Sequence, residues 1–171
     1  MKKNLLMSII AGLTLGASFT LPSFAAPAPA PNNVTVTYQD PDSFSDVLEN
    51  HTNTPSTYYL GQLKECIEQT ATRRLAIGEK LIVTVTDIDL AGETRFNQPN
   101  EIRVMKDIYA PRVRLKFQLL GADGKVVKAG DRSLIDHDYL MRARSPGSSE
   151  PLFYDKQLLK EWINEEFKAA S

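Results

Sequence analysis

The sequence is poor in the residue types that most often build catalytic and metal sites. It has one cysteine, Cys66, and two histidines, His51 and His137, among 171 residues. A single cysteine excludes a disulfide within the chain, and no Cys-x-x-Cys pair is present to hold a metal. There is also no phosphate-binding glycine loop, no Gly-x-Ser-x-Gly turn and no His-Glu-x-x-His pair. The sequence therefore predicts no cofactor, and nothing in it positions a catalytic triad.

Charged residues are absent from residues 5–21, which follow Lys2 and Lys3 and precede a Ser-Phe-Ala tripeptide ending at Ala25. A basic start, an apolar segment and small residues at the cleavage positions are typical of a secretory signal peptide. We predict that residues 1–25 are this peptide, cut after Ala25, and that the mature protein lies in the periplasm. An uncleaved membrane anchor is the alternative, because the apolar run approaches the lower length limit of a span.

The segment after the predicted cleavage point, residues 26–33, alternates alanine and proline and ends in two asparagines, as an extended linker does. Residues 34–171 are enough for one domain. Loss of Lys2 and Lys3 leaves 18 basic residues against 21 acidic ones, a net charge of −3. Such a protein is a poor partner for nucleic acid or anionic lipid. We expect no nucleic acid, no membrane anchor after cleavage, and an envelope protein as the partner.

Apolar periodicity predicts four strands and two helices in this domain. The strands are at 34–38, 81–90, 111–119 and 125–134, and the helices are at 56–78 and 154–168. The first helix joins two strands, so these strands should pair in parallel. The order of elements predicts an α+β two-layer sandwich, with a mixed sheet of about four strands and two helices packed on one face.

The second strand has the strongest β pattern in the chain, with β-branched residues throughout and no proline or glycine before Gly92. Strict alternation assigns its side chains to two faces. One face would carry Leu81, Val83, Val85, Asp87 and Asp89. The other would carry Ile82, Thr84, Thr86, Ile88 and Leu90. The first face is thus an apolar stripe that ends in two carboxylates.

Three segments between these elements have less regular patterns. Residues 92–100 are polar and predict a loop. Residues 101–109 fit either a short strand or a helical turn. Residues 136–141 predict a short helical segment that Asp136 or Ser133 would cap.

The candidate functional cluster lies where the second strand ends. Asp87 and Asp89 would project from one side about 6.6 Å apart, and Arg103, Asp107 and Arg112 follow in sequence. Two carboxylates so placed could bind a cation or act as an acid/base pair. Alternatively, they pair with arginines or accept hydrogen bonds from loop amides. A calcium loop starting at the first aspartate fails at its fifth and twelfth positions, so no metal site is predicted.

The strand that follows Pro111 alternates cations with core residues. Arg112, Arg114 and Lys116 would face away from the helices, where they either dock an acidic partner or are solvated. The free edges of the sheet could accept a strand from another protein. Trp162 on the last helix is expected in the core.

Four segments resemble one known family. They are residues 34–38 (VTVTY), 86–93 (TDIDLAGE), 102–112 (IRVMKDIYAPR) and 152–162 (LFYDKQLLKEW). Together they are similar to the secreted proteobacterial proteins of domain-of-unknown-function family 3016, over nearly the whole mature chain. The resemblance implies an exported protein of the Gram-negative envelope. It supplies no catalytic or binding residues.

The sequence by itself does not specify a biochemical activity. The missing catalytic constellation and the export signal favour a non-catalytic envelope protein that binds a partner or ligand. One alternative is a small hydrolase or metal-dependent enzyme that uses Asp87 and Asp89 with Arg103 or Arg112. Another is a factor that protects other exported chains through the polar face of the sheet.

Overall fold

The computed structural model describes residues 33–48, 54–95, 102–141 and 150–168. The chain divides into two compact units, residues 1–30 and residues 31–171. All the described residues belong to the second unit, and so do the described residues of both hydrophobic clusters. The second unit therefore carries its own core. The predicted signal peptide, and the predicted linker up to residue 32, lie outside the described residues.

Six strands and two α-helices are present in the described part of the chain. In chain order they are β1 (Val34–Tyr38), α1 (Thr57–Thr72), β2 (Lys80–Asp89), β3 (Glu93–Arg95), β4 (Ile102–Val104), β5 (Arg112–Leu120), β6 (Val126–Ile135) and α2 (Phe153–Glu166). A single turn of 3₁₀-helix, Pro41–Ser43, follows the first strand.

The larger sheet has the strand order β1-β2-β5-β6. β1 and β2 are parallel, as predicted for two strands joined by a helix, and the other two pairings are antiparallel. α1 packs against β1, α2 lies near β6, and the two helices contact each other. The predicted α+β fold, a mixed four-stranded sheet with two helices on one face, is confirmed. The face of the sheet turned away from the helices is called the open face.

Each helix presents an apolar stripe to the sheet. Ser56 caps α1 by accepting a hydrogen bond from the backbone N–H of Tyr59 at 3.3 Å. The helix ends at Thr72 and turns follow it, so the predicted end at Gly78 is six residues too late. The residues that α1 buries are Leu63, Cys66, Ile67 and Ala71. The apolar residues that α2 buries are Tyr154, Leu158, Leu159, Trp162 and Ile163. Neither described helix is long and apolar enough to cross a membrane.

Trp162 lies in the core, as predicted. Its ring packs edge-on against Phe117 and Phe167, with centroids 5.9 and 5.8 Å away. Phe117 and Phe167 also meet edge-on at 5.5 Å. This aromatic group joins the end of α2 to β5, so the helix and the sheet share one continuous core.

A β-bulge reverses the alternation of β2. The pairing register with β5 shifts between Val85 and Asp87, which leaves Thr86 as the extra residue. Beyond it, Ile88 and Leu90 are each 1% exposed and join the core. The two aspartates turn to the open face, opposite Arg114 and Arg112. The predicted faces are therefore wrong after Val85, because one extra residue moves every later side chain to the other side.

The segments between the main elements differ in part from expectation. The predicted loop at 92–100 is wrong at Glu93–Arg95, which pairs antiparallel with β4 to form a second, two-stranded sheet. The strand alternative for 101–109 is confirmed at Ile102–Val104. Residues 137–141 form turns rather than a helix, and Asp136 Oδ1 accepts from the N–H of Asp138 at 3.1 Å. Ser133 lies within β6 and caps nothing.

Candidate functional site

Asp87 lies just past the bulge on the open face. Its two oxygens accept hydrogen bonds from the backbone N–H and the hydroxyl of Ser45, at 2.9 and 3.1 Å. These bonds tie the loop that follows β1 to the end of β2. Both carboxylate oxygens are thus used by the loop.

Asp89 faces Arg112 across the β2–β5 ladder and forms an isolated bridge with Asp46 of the loop that follows β1. Burial raises the pKa of Asp89, and the charge of Arg112 opposes this rise. Its carboxylate has no hydrogen bond or ion pair with any residue that the structure describes. Asp89 is therefore held mainly by its backbone.

Arg103 on β4 connects three segments. Two of its nitrogens donate to Asp46 Oδ2, at 2.9 and 2.7 Å. One of them also donates to the carbonyls of Ala91 and Gly92, at 3.3 and 3.1 Å. Burial raises the pKa of Asp46, and Arg103 counteracts the rise. One guanidinium therefore fastens the small β3–β4 sheet to the turn after β2 and to the loop after β1.

Asp155, in the first turn of α2, belongs to the same network but was not predicted. It is 3% exposed and accepts a hydrogen bond from the N–H of Ala91 at 2.9 Å. Burial raises its pKa to about 6, against the opposing effects of that hydrogen bond and of Arg103. Ala91 is held by Asp155 at its N–H and by Arg103 at its carbonyl. The available sequence signal was an acidic residue early in a helix, which the helix dipole explains equally well.

Asp107 and Arg112 complete the predicted cluster but stand apart from this network. Asp107 is exposed, and its carboxylate accepts from the N–H of the next residue, Ile108, at 3.0 Å. Arg112 is exposed on the open face and makes no ion pair with another described residue. His137 is exposed, and His51 lies outside the described residues. The predicted residues thus divide among a loop contact, a buried network and two exposed positions.

This arrangement has the chemistry of a structural network. Asp46 and Asp87 accept hydrogen bonds from fixed donors, and Asp155 accepts one from a backbone amide. Within the described ranges, no group of three or more His, Cys, Asp or Glu side chains is placed to hold a metal ion. The raised pKa values of Asp89 and Asp155 follow from burial in the fold.

The cations of β5 lie opposite carboxylates on the two neighbouring strands. The directly opposite pairs are Arg112 with Asp89, Arg114 with Asp87, and Lys116 with Asp131. The open face therefore carries alternating signs rather than a positive patch. This pattern favours a solvated face over a dock for an acidic partner.

β6 is an edge strand, which pairs with β5 and with no other strand that the structure describes. The N–H of Asp136 donates to the carbonyl of Pro111 at 3.4 Å, which sets the phase of the β5–β6 ladder. Because bonded and non-bonded pairs alternate in an antiparallel ladder, every second residue of β6 directs its N–H and C=O away from β5. These residues are Ala129, Asp131, Ser133 and Ile135.

A groove of about 430 Å³ lies between β6 and α2. Its apolar lining residues are Leu134, Ile135, Leu158 and Trp162. Trp162 is 5% exposed, and its indole Nε1–H has no hydrogen-bond acceptor in the described part of the chain. An unpaired buried donor is uncommon in a folded protein. The wall of this groove is thus apolar, and the indole N–H of Trp162 is buried in the core beside it.

Charged residues line the rest of this groove. Glu166 accepts from Arg132 Nε and Nη2, at 2.7 and 2.8 Å, and pairs with Lys128 Nζ at 2.7 Å. These contacts, led by the bond from Arg132, lower the pKa of Glu166 to about 2. Glu161 and Glu165 add two further carboxylates from α2. The five groups together carry a net charge of −1.

The family model for proteins of unknown function DUF3016 matches residues 32–165. The chain belongs to this family. The match confirms the family resemblance carried by the four sequence segments, and it includes β1 to β6 and nearly all of α2. Comparison of this DUF3016 chain with curated proteins finds no match.

Two solved structures show a distant likeness to this DUF3016 chain. One is a PelC dodecamer from Paraburkholderia phytofirmans, with 15% identity and a TM-score of 0.36, covering 82% of this chain and 88% of that one. The other is a minor lipoprotein from Acinetobacter baumannii, with 7% identity and a TM-score of 0.28, covering 80% of this chain and 91% of that one. At these TM-scores neither likeness supports a statement about this protein.

Proposed function

We propose that this protein is an exported, non-catalytic binding domain of the bacterial envelope, which recognises a partner protein by adding an extended segment of it to β6. The observation that carries the proposal is the unpaired edge of β6 among the described residues. Backbone N–H and C=O groups directed outward from an edge strand are complementary to an extended chain.

The edge of β6 is long and lightly protected. The strand has 10 residues, against 5 in β1 at the other edge. Val126, Val127 and Ile135 are exposed along it, the second of these by 63%. Edge strands are usually shielded by proline or by inward-pointing charges. β6 has no proline, and both of its inward cations are held by Glu166 on α2, although Arg132 Nη1 also donates to the outward carbonyl of Asp131 at 2.9 Å.

The enzyme alternative has less support. It requires Asp87 and Asp89 to act on a substrate with Arg103 or Arg112 beside them. Both oxygens of Asp87 instead accept from Ser45, and Arg103 is directed to Asp46. A group already held by internal hydrogen bonds must lose them before it can act on a substrate. The geometry favours binding over catalysis.

Export is supported by the sequence of the first 25 residues. N-terminal sequencing of the protein recovered from a periplasmic fraction should give a chain that starts at Ala26. Recovery of the uncut chain from the cytoplasm would contradict the export part of the proposal and leave the binding part to a separate measurement.

Strand addition can be tested by hydrogen exchange. A displayed library of random linear peptides should yield binders, and these should slow exchange of the outward amides of Ala129, Asp131 and Ser133. Ser133→Pro removes one outward N–H that makes no ladder bond, so it should reduce binding at least about tenfold with the fold retained. Ser133→Ala keeps the N–H and should bind as wild type. Failure to select any peptide that protects β6 would overturn the proposal.

A further inference from the structure

We infer that the groove between β6 and α2 selects the added strand by its side chains, and that it favours a segment with a large apolar residue followed or preceded, two positions away, by lysine or arginine. This inference rests on the proposed function, because it concerns the specificity of the same site. It concerns which segments bind and not whether strand addition occurs.

The position of the groove sets which partner side chains enter it. Side chains alternate between the two faces of any strand, so an added strand would direct every second side chain toward α2. Residues at spacing two therefore share the groove, and the intervening residues extend over the open face beside Asp131 and Ser133. Specificity should thus depend on alternate positions of the partner segment.

The apolar requirement follows from the wall of the groove. Leu134, Leu158 and Trp162 line it together and offer no free acceptor. A large aliphatic or aromatic side chain in contact with them removes apolar surface from water on both partners.

The basic requirement follows from the distribution of charge. Glu166 is already shared by Lys128 and Arg132, so these three groups form a closed set. Glu165 lines the same groove, is exposed, and makes no ion pair with a described residue. A cation on the partner strand beside this carboxylate completes a pair, whereas a carboxylate there is repelled.

A second copy of this chain is a poorer occupant. In a two-fold arrangement, antiparallel β6 strands overlap most when the axis passes at Gly130 or at Asp131. The first register sets Lys128 opposite Arg132, and the second sets Asp131 opposite its own copy. Like charges directly opposite in a strand pair are destabilising. The occupant that fits is therefore a strand of different sequence, with its basic residue beside Glu165 and not directly opposite Lys128 or Arg132.

The test uses the peptides selected for binding to β6. Replacing the groove-facing large residue of a selected peptide by alanine should weaken binding about tenfold or more. Glu165→Lys in the protein should weaken peptides with lysine or arginine at least about fivefold and strengthen those in which that residue is replaced by glutamate. Glu65→Lys, an exposed glutamate on α1, is the matched control and should change neither.

The possible outcomes separate the two proposals. If peptides protect the β6 amides but bind Glu165→Lys and wild type equally, the inference on specificity is overturned and strand addition stands. If no peptide protects β6, both are overturned. If a purified domain is dimeric and its own β6 amides are already protected, a second copy is the occupant and the inference is likewise overturned.

Discussion

The acidic end of β2 and the groove beside β6 contrast in how their polar groups are used. At the acidic end, Asp46, Asp87 and Asp155 each accept hydrogen bonds from inside the domain. Along β6, the outward N–H groups of four residues meet no acceptor that the structure describes, while the outward carbonyl of Asp131 accepts from Arg132 of the same strand. The carboxylates that stand out in the sequence are therefore used by contacts inside the domain, whereas the backbone N–H groups along β6 can still bind a partner.

This contrast separates stability from binding. Substitutions in the acidic network should change the stability of the domain, because buried charges there depend on one another. Substitutions on the rim of the groove should leave the fold intact and alter partner binding alone. The measurements that follow would establish or break this division.

Arg103→Met should have the largest effect. It leaves Asp46 with a partly buried, unpaired charge and removes the donor of the Ala91 and Gly92 carbonyls. The free energy of unfolding should fall by about 3 to 4 kcal/mol in urea denaturation at neutral pH. Arg95→Met is the control, since Arg95 is exposed and lies 3.8 Å from Glu93, and it should cost at most about 0.5 kcal/mol. Equal losses would break the comparison.

Asp155→Asn should change the pH dependence of stability. Because the pKa of Asp155 is about 6 in the folded domain and its ordinary value is 3.8, the native state retains a proton that the unfolded chain loses between these values. Stability should therefore fall as pH rises from about 4 to about 6, by up to about 3 kcal/mol. Urea titrations across this range should show the decline in wild type and its near absence in the variant. An unchanged slope would show that Asp155 is not the responsible group.

Glu166→Gln should have a smaller effect on the groove wall. It leaves Lys128 and Arg132 without their shared carboxylate, at a cost of about 1 to 2 kcal/mol at neutral pH. Because the pKa of Glu166 is lowered to about 2 from 4.5, this contribution is present above pH 4.5 and is lost as pH falls toward 2. Thermal unfolding at pH 7 and pH 3 should show a smaller difference between variant and wild type at the lower pH.

Glu165→Gln should have the smallest effect on stability. This side chain is exposed and makes no ion pair with a described residue, so the free energy of unfolding should change by less than about 0.5 kcal/mol. Urea denaturation of Glu165→Gln and Glu166→Gln under the same conditions compares the two neighbouring glutamates. A loss as large as that of Glu166→Gln would mean that the rim of the groove is part of the structural network.

The fold was largely predictable because its main signals are local. Alternation along β5 places Val113, Leu115 and Phe117 in the core, and the observed burial follows it without a break. The stripes of the two helices and the helical connection between β1 and β2 were sufficient for the layer arrangement. These features depend on the period of apolar residues, which the sequence displays directly.

The candidate site was predictable only in part because its contacts span distant segments. Asp46 lies in a loop without a repeating pattern, and Asp155 reaches Ala91 across 64 positions. The bulge had a signal that strict alternation overlooks, since the apolar residues change from odd numbers up to Val85 to even numbers from Ile88. A change of phase within a strong strand pattern indicates an inserted residue.

Thr86 gives this bulge a genetic consequence. Loss of that one codon would remove the extra residue, and unbroken alternation would then keep Ile88 and Leu90 in the core and both neighbouring aspartates on the open face. A deletion here should therefore leave both faces of β2 as they are and remove only the local bend and added twist that a bulge gives a strand.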